Sequence, residues 1–496
     1  MGRSRTPHGD PIMPVPETPP NTTRRDFVKL SSAALAVAAT QSARSYASSA
    51  ASYSKIVGAN DRVRTGIVGG GDRMLGGDVP AFAANQKDMN FELVAVSDIW
   101  KLARERAVAA VEKAAGSKID MVPNNEALYA RNDIDAVLIA TADFQHARND
   151  IDAVLIATAD FQHARHGIEA VKAGRDAYVE KPTAHRMDDA RDFLKAVEGS
   201  SQIIAVGTQR RSTPAYIKAA EYIQSGKFGD IVMVEMSWNV NQPGRWRRPD
   251  VVPTLREEDT DWNRYCLGVI KDKFDARKYL EFRLFWPYSS GIPDQWLVHQ
   301  IDTVHWFTGL PHPRSVVANG GIYLWKDGRT NWDTMTAVFD YGPLDDLTKG
   351  FQVQYTSRFT NSAGGTKELY YSNGGMIDMD KQTVTPTGGL TAREAAAMKL
   401  PANQLPSVSL MQNVEKMSND AETSSGGRGD PQTNANMRNW MECVRSRKTP
   451  NASIRAGYAH SIALCMNVAA IQTGQKVTFD DKTQQVMVGG KPYDHV

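Results

Sequence analysis

Hydrophobic positions along the chain follow two rhythms. Between residues 64 and 207, short apolar runs alternate with segments of helical period. The runs at 64–68, 91–98, 134–141, 151–158, 176–180 and 202–207 read as buried strands, and the segments at 80–85, 101–115, 166–173 and 184–199 as helices. Strand–helix alternation predicts a parallel sheet covered on both faces. From residue 213 the rhythm changes. A helix at 215–225, with Gly226 after its end, is followed by strands at 231–238, 315–318, 334–341, 351–358 and 368–371. Few helices separate these strands, which suits an antiparallel sheet. A polar excursion rich in Gly, Ser and Asn at 413–436 precedes helices at 436–447 and 456–472 and a strand at 476–479. The expected fold class is α/β, with a parallel half at 61–212 and an α+β half at 213–496 that carries an open, mostly antiparallel sheet.

One stretch interrupts this regularity. RNDIDAVLIATADFQHA occurs at 131–147 and again, unchanged, at 148–164. A period this short, present only twice, is not a solenoid. Each copy holds one strand, and only nine residues separate 134–141 from 151–158. A parallel crossover needs about a dozen. One copy is therefore expected to keep the sheet position and the other to be extruded as a loop. The second copy leads directly into the next helix and is the favoured strand.

The first strand runs into Gly69-Gly70-Gly71-Asp72-Arg73-Met74, close to the strand–GxGxxG–helix fingerprint of a Rossmann dinucleotide site. Gly69 suits the tight turn and Gly71 the approach of a pyrophosphate, with Asp72 and Arg73 at the mouth of a helix N-terminus that favours anions. Met74 stands where the third glycine belongs. The next strand ends in Asp98, an acid placed to bind ribose hydroxyls and to repel a 2′-phosphate, so NAD is expected rather than NADP. Asp98 is also suited to cap the helix at 101–115.

The segment Tyr178-Val179-Glu180-Lys181-Pro182 carries the strongest chemical signal. Proline ends the strand, which leaves Lys181 at its carboxyl end, where ligands sit in open α/β sheets. A lysine desolvated against a cofactor ring becomes a general base for a hydroxyl and a general acid for a carbonyl. A second cluster lies on a helix that starts near residue 293 and ends at Gly309. Gln295, His299 and Asp302 share one face of it, and His305 points elsewhere. Six of the ten tryptophans lie between Trp238 and Trp306. Indole faces suit the C–H faces of a pyranose, which makes Trp238, Trp246 in the segment 239–248, and Arg210 candidate sugar contacts. The same tryptophans also suit a core or a subunit interface.

Gly69–Gly71, Asp98, Ala157-Thr158 with His163, Glu180-Lys181-Pro182 and Val206-Gly207-Thr208-Gln209 together resemble the glucose–fructose oxidoreductase, inositol dehydrogenase and rhizopine-catabolism (Gfo/Idh/MocA) family. The resemblance runs from about residue 60 to the C-terminus. It implies NAD(P)-dependent oxidation or reduction of sugars and cyclitols, with Thr158, His163, Glu180 and Gln209 at the cofactor. It makes His299 the catalytic histidine beside Lys181, and Asp302 the acid that follows it. The family's aspartate four residues before that histidine is replaced by Gln295, which leaves proton transfer to Lys181 and His299, with Gln295 hydrogen-bonding. Asp294, one residue off, is expected to cap the helix. Two other activities suit the same fold: a redox-assisted glycosidase, and a non-catalytic sugar-binding protein.

Composition narrows the partners. The chain has 496 residues, 41% of them hydrophobic, and can bury a large core. A net charge of +2 without a basic, aromatic-laced stripe argues against nucleic acid. Cys266, Cys443 and Cys465 lack the spacing of a zinc site or a disulfide framework, and no metal is expected. Residues 1–22 are rich in proline and polar groups. Thr23-Arg24-Arg25-Asp26-Phe27-Val28-Lys29 and the short apolar run at 30–39 match a twin-arginine export signal, with small residues for cleavage at 45–47. We therefore expect a leader and signal at 1–47, a linker at 48–60, and passage to the periplasm through the twin-arginine machinery. A homo-oligomer is expected.

Overall fold

The structure, a computed structural model, describes residues 62–494 apart from 99, 123–127, 129–130, 132–135, 140–152, 173, 175, 402 and 412–429. The leader and signal expectations, and most of the excursion at 413–436, lie outside the described residues.

The amino-terminal half alternates as its hydrophobic rhythm predicts. β1 (Val63–Val68) is followed by a wide helical turn at Met74–Asp78 and α1 (Val79–Met89), then β2 (Phe91–Ser97), α2 (Lys101–Ala115) and β3 (Asp120–Val122). β4 (Ala136–Ile139), β5 (Ala153–Ile156), α3 (His163–Lys172), β6 (Asp176–Val179), α4 (Met187–Glu198) and β7 (Ile204–Val206) complete it. α2 shows the local logic. Strong helix formers fill it, Ala103, Ala107 and Val111 at four-residue spacing face the core, and Gly116 ends it in the left-handed conformation (φ +72°). The strands form one parallel sheet in the order β3-β2-β1-β4-β5-β6-β7.

That order corrects the expectation for the repeat. Both copies are strands, and they lie side by side and parallel: Ala136 pairs with Ala153, and Ile139 with Ile156. The first copy pairs with β1 and the second with β6. The strands are four residues each rather than eight. The connection at 140–152 therefore reaches the length a crossover requires. Equivalent residues of the two copies are directly opposite, so the insertion adds a strand without a register slip.

The second half is built on an eleven-stranded sheet. After α5 (Pro214–Gln224) come β8 (Ile231–Asn239), α6 (Val298–Thr308, entered through a wide turn at Pro293–Leu297), β9 (Ser315–Gly321), β10 (Thr334–Tyr341), β11 (Phe351–Arg358) and β12 (Thr366–Ser372). Then follow β13 (Gly375–Asp378), β14 (Thr383–Thr385), β15 (Val408–Ser409), α7 (Pro431–Ser446), α8 (Ile454–Thr473), β16 (Val477–Asp480), β17 (Gln485–Val488) and β18 (Lys491–Pro492). The order is β15-β14-β13-β12-β8-β11-β10-β9-β16-β17-β18, and only β8–β11 is parallel. Residues 431–436, expected in the excursion, instead open α7, where the Asp430 carboxylate accepts from the amides of Gln432 and Thr433.

The last helices return to the first half. Met437, Trp440 and Met441 of α7 pack into one cluster with Phe82, Phe91 and Tyr178. Asn436 Nδ2 donates to Tyr178 Oη (3.1 Å) and to the Val206 carbonyl (3.0 Å). The Val206 amide donates to the Ala452 carbonyl (2.8 Å), so the outer edge of β7 is covered. α8 approaches the segment after β6 so closely that a Cβ on Gly457 would meet Thr183 Oγ1 at 2.4 Å.

Because the two copies are in register, deletion of residues 131–147 should leave one strand able to pair with both β1 and β6. The shortened chain is expected to stay soluble and to melt cooperatively, as followed by circular dichroism. Loss of a cooperative melt would show that the extra strand is indispensable.

Candidate active site

The glycine turn is shaped by what presses on it. Gly69 adopts φ +92° and donates its amide to the Ser97 carbonyl (2.6 Å). A Cβ on Gly70 would lie 2.2 Å from the Ala103 carbonyl oxygen, so α2 packs directly on the turn. A Cβ on Gly71 would meet nothing within 4 Å, and this glycine lines a small cavity with Gly70, Asp98 and Thr158. Asp98, buried, accepts from the amides of Gly70 and Trp100 (both 2.7 Å). Burial pushes its carboxyl up to about 6, against the pull of those two amides.

A larger cavity of about 1090 Å³ adjoins the first and shares Asp72, Arg73, Arg106, Thr158, Arg248 and Arg283 with it. Glu180, Lys181, His163, Gln209, Gln295, Trp246 and Trp296 also line it. Arg73 pairs with Glu180 (2.9 Å) and Asp78 (3.3 Å). Burial opposes ionisation of Glu180, but Arg73 and Lys181 outweigh it and hold the carboxyl below its ordinary range. Asp72 is likewise desolvated, yet Arg248 and Arg106 keep it below its ordinary range. His163 Nδ1 lies 2.7 Å from the Pro182 carbonyl and Nε2 3.1 Å from that of Thr158. Burial pushes this ring down to about 4, so at neutral pH it is a neutral brace for the turn after Lys181.

Lys181 Nζ donates to the Gln295 carbonyl (3.0 Å) and to Gln295 Oε1 (3.4 Å). Gln295 Oε1 also accepts from Arg283 Nε (3.0 Å), while its Nε2 donates to Asp160 (2.6 Å). Asp160 opens a short turn after β5 and is raised to about 6. Burial is the first cause and the nearby Asp294 the second, opposed by Arg283 and Lys181. Asp294 sits inside the wide turn rather than capping it, because the helix begins one residue earlier. Its carboxylate accepts from the Ser290 amide (2.6 Å) and pairs with His185 Nδ1 (2.8 Å).

The remaining predicted residues lie behind this wall. Trp238 stacks on Trp296 at 5.9 Å between centroids, and its other neighbour at 5.9 Å is His299. Arg210 is buried over Trp238 and Tyr216 and paired with Glu368. Asp302 receives two bonds from Arg211 (2.8 and 3.0 Å), with His460 at 3.6 Å. Burial opposes its ionisation, but Arg211 and His460 carry the carboxyl far below its ordinary range. The cavity thus brings together Lys181, Gln295, Gln209, Trp246, Thr158, His163, Glu180, Asp72 and Arg73, while His299, Arg210, Trp238 and Asp302 do not line it. Sequence reasoning missed Asp160 and Arg283, while Arg245 and Arg248 lie in the segment 239–248 that it singled out. Asp160 carried one legible signal: an acid in the short loop after a strand, three residues before His163.

The residues fit a dinucleotide. The glycine turn leaves open space at Gly71, and the buried Gln209 Oε1, on the cavity wall, has no protein partner among the described residues. A bound ligand satisfies such an atom.

Residues 147–208 match the GFO_IDH_MocA oxidoreductase family, NAD-binding Rossmann fold. An inositol 2-dehydrogenase of Rhizobium meliloti (strain 1021) is 30% identical over 175 residues, 35% of this chain and 44% of that protein. The chain spans less than half the length of the curated relatives it matches first. Among solved structures, a levoglucosan dehydrogenase in complex with NADH and levoglucosan superposes with a TM-score of 0.56 at 14% identity, over 84% of this chain and 99% of that one. A putative myo-inositol dehydrogenase from Sinorhizobium meliloti 1021 gives 0.53 at 18% identity, over 84% and 99%. The fold is a Rossmann-type NAD-binding fold followed by a large, mostly antiparallel sheet, as in those solved structures.

The pair behind the wall makes a measurable claim. Arg211→Ala leaves the Asp302 carboxylate buried with only His460 and should cost about 3–5 kcal/mol, read by urea denaturation. Because the folded-state pKa of Asp302 is depressed, its contribution is complete above about pH 4 and is lost as pH falls below that value. The difference between parent and variant should shrink in acid. A difference independent of pH would contradict this origin.

Proposed function

We propose that the chain is an oxidoreductase of the Gfo/Idh/MocA family that uses NAD to oxidise a CH–OH group of a sugar or polyol, or to reduce the corresponding carbonyl. The observation that carries the proposal is the position of Lys181. Its amine, at the carboxyl end of β6, borders the same cavity as Asp72 and Arg73 of the glycine turn. At about 1090 Å³ that cavity is at or above the upper end of the roughly 300–1,000 Å³ common for small-ligand sites.

Bound NAD supplies the hydride acceptor or donor. Lys181 takes the hydroxyl proton during oxidation and returns it during reduction. Gln295 orients the amine: a neutral lysine that donates to the Gln295 carbonyl and to Oε1 keeps its lone pair for the substrate proton. Partly exposed Trp246 offers apolar surface to sugar C–H groups, and the Arg245 guanidinium lies over its ring and that of Trp296 at 5.6 and 5.3 Å. We assign His299 and Trp238 to support of this wall, since they lie behind Trp296, and Arg210 and Asp302 to the framework.

We also propose export by the twin-arginine signal at 23–39. That machinery carries folded proteins, so the cofactor is loaded before transit and held tightly afterwards, to be recycled by a second substrate.

Purified protein incubated with a panel of cyclitols and sugars, starting with inositol and levoglucosan, should change its nicotinamide absorbance with at least one member. Lys181→Ala should lower kcat by about 100-fold or more while NAD affinity stays within a few fold. An unchanged kcat would remove the lysine from the chemistry. Nicotinamide should stay with the protein through extensive dialysis, and its ready loss would defeat the tight-cofactor reading.

A further inference from the structure

Asp160 has no part in the chemistry described so far, yet it is bonded to the residue that holds the lysine. It is 2% exposed and borders the cavity. The orientation of Gln295 is dictated by charge. Its NH2 group faces the Asp160 carboxylate at 2.6 Å, and its oxygen faces the cations Arg283 and Lys181 at 3.0 and 3.4 Å. Flipping the amide would turn hydrogens toward two cations and oxygen toward an anion. A carboxylate at 295 would be a third acid beside Asp160 and Asp294. An amide there fits only because a negative charge is already present on the other side.

We infer that Asp160 is the positioning residue that sets the charge state of Lys181 through Gln295, so that the carboxylate of this site is supplied by the loop after β5 rather than by the helix. The inference rests on the role of Lys181 proposed above. While Asp160 is ionised it stabilises the lysine cation that forms when the substrate proton is taken up, and protonation of Asp160 withdraws that support. The charged groups facing the pair are Arg283, Asp294 with its partner His185, and Glu180. Burial and the like charge of Asp294 raise Asp160 to about 6, which places the change just below neutrality.

The test uses the full-length protein without substrate. Acetylation of Lys181 by acetic anhydride is followed by peptide mass spectrometry as a function of pH. With the carboxylate removed in Asp160→Asn, the lysine pKa should fall by about one unit, so acetylation at neutral pH should rise about tenfold. The inflection near pH 6 of the parent should vanish, and Asp160→Glu should restore the slow rate. A purely structural role would lower the melting temperature without moving the pH profile, and an Asp160→Asn profile identical to the parent overturns the inference. Should Asp160→Asn fail to fold, Gln295→Ala removes the link and keeps the carboxylate. It should also accelerate acetylation, and an unchanged rate there is equally fatal. Since no sugar enters the measurement, failure of every sugar to react would leave its outcome intact.

Discussion

Lys181 belongs to the parallel half of the molecule and Gln295 to the other, and the two bonds between them join the halves at the point where chemistry is proposed. One acceptor is a backbone carbonyl, which no side-chain substitution removes. The other is an amide that is itself held by a carboxylate and a guanidinium. A lysine side chain loses up to about 2 kcal/mol of rotamer freedom when fixed, and a single neutral hydrogen bond returns roughly 1 kcal/mol. Two acceptors in a buried setting make the fixed amine affordable. The wide turn at Pro293–Leu297 serves this purpose, because it presents both the carbonyl and the side chain of Gln295 to the same neighbour.

Around this point the structure uses buried ion pairs as anchors. Arg73–Glu180, Arg210–Glu368 and Arg211–Asp302 each tie a loop after a strand to a distant element. Such pairs contribute little net stability compared with apolar packing, because desolvation offsets attraction. Their value is positional. Arg73 fixes the helix mouth relative to Glu180, the residue directly before the lysine. Arg210 and Arg211 fix the end of β7 against the second sheet and α6. The segment after β1 is thereby held within the parallel half, and the segment after β7 is held from the other half.

Much of this was legible in the sequence, for identifiable reasons. The alternation of apolar runs with helical segments gave the parallel half, and the lysine–proline strand end placed Lys181 at the cavity, because these signals are local. The doubled strand misled because strand length was read from the apolar run. The paired strands are Ala136–Ile139 and Ala153–Ile156, with thirteen residues between them rather than nine. On a helical wheel Gln295, His299 and Asp302 share one face, but Gln295 lies in the wide turn before the regular helix. A wheel does not reveal depth, however: the first of these reaches the cavity, whereas the Asp302 carboxylate meets Arg211. Asp160, Arg245 and Arg283 were illegible as a set because they come from three separate loops, and only tertiary contact relates them.

The return of α7 and α8 to the first sheet bears on the order in which the protein is made. Tyr178, two residues from Glu180, receives its hydrogen bond from Asn436, and the outer edge of β7 is covered by Asn436 and Ala452. A ribosome that has finished the parallel strands has therefore not finished closing their sheet. The nascent chain keeps an open apolar face until more than two hundred further residues have emerged, about the distance from Val206 to Asn436. Burial of that face is thus a late event of biosynthesis, and a chain terminated before α7 leaves Phe82, Phe91 and Tyr178 without their covering helix.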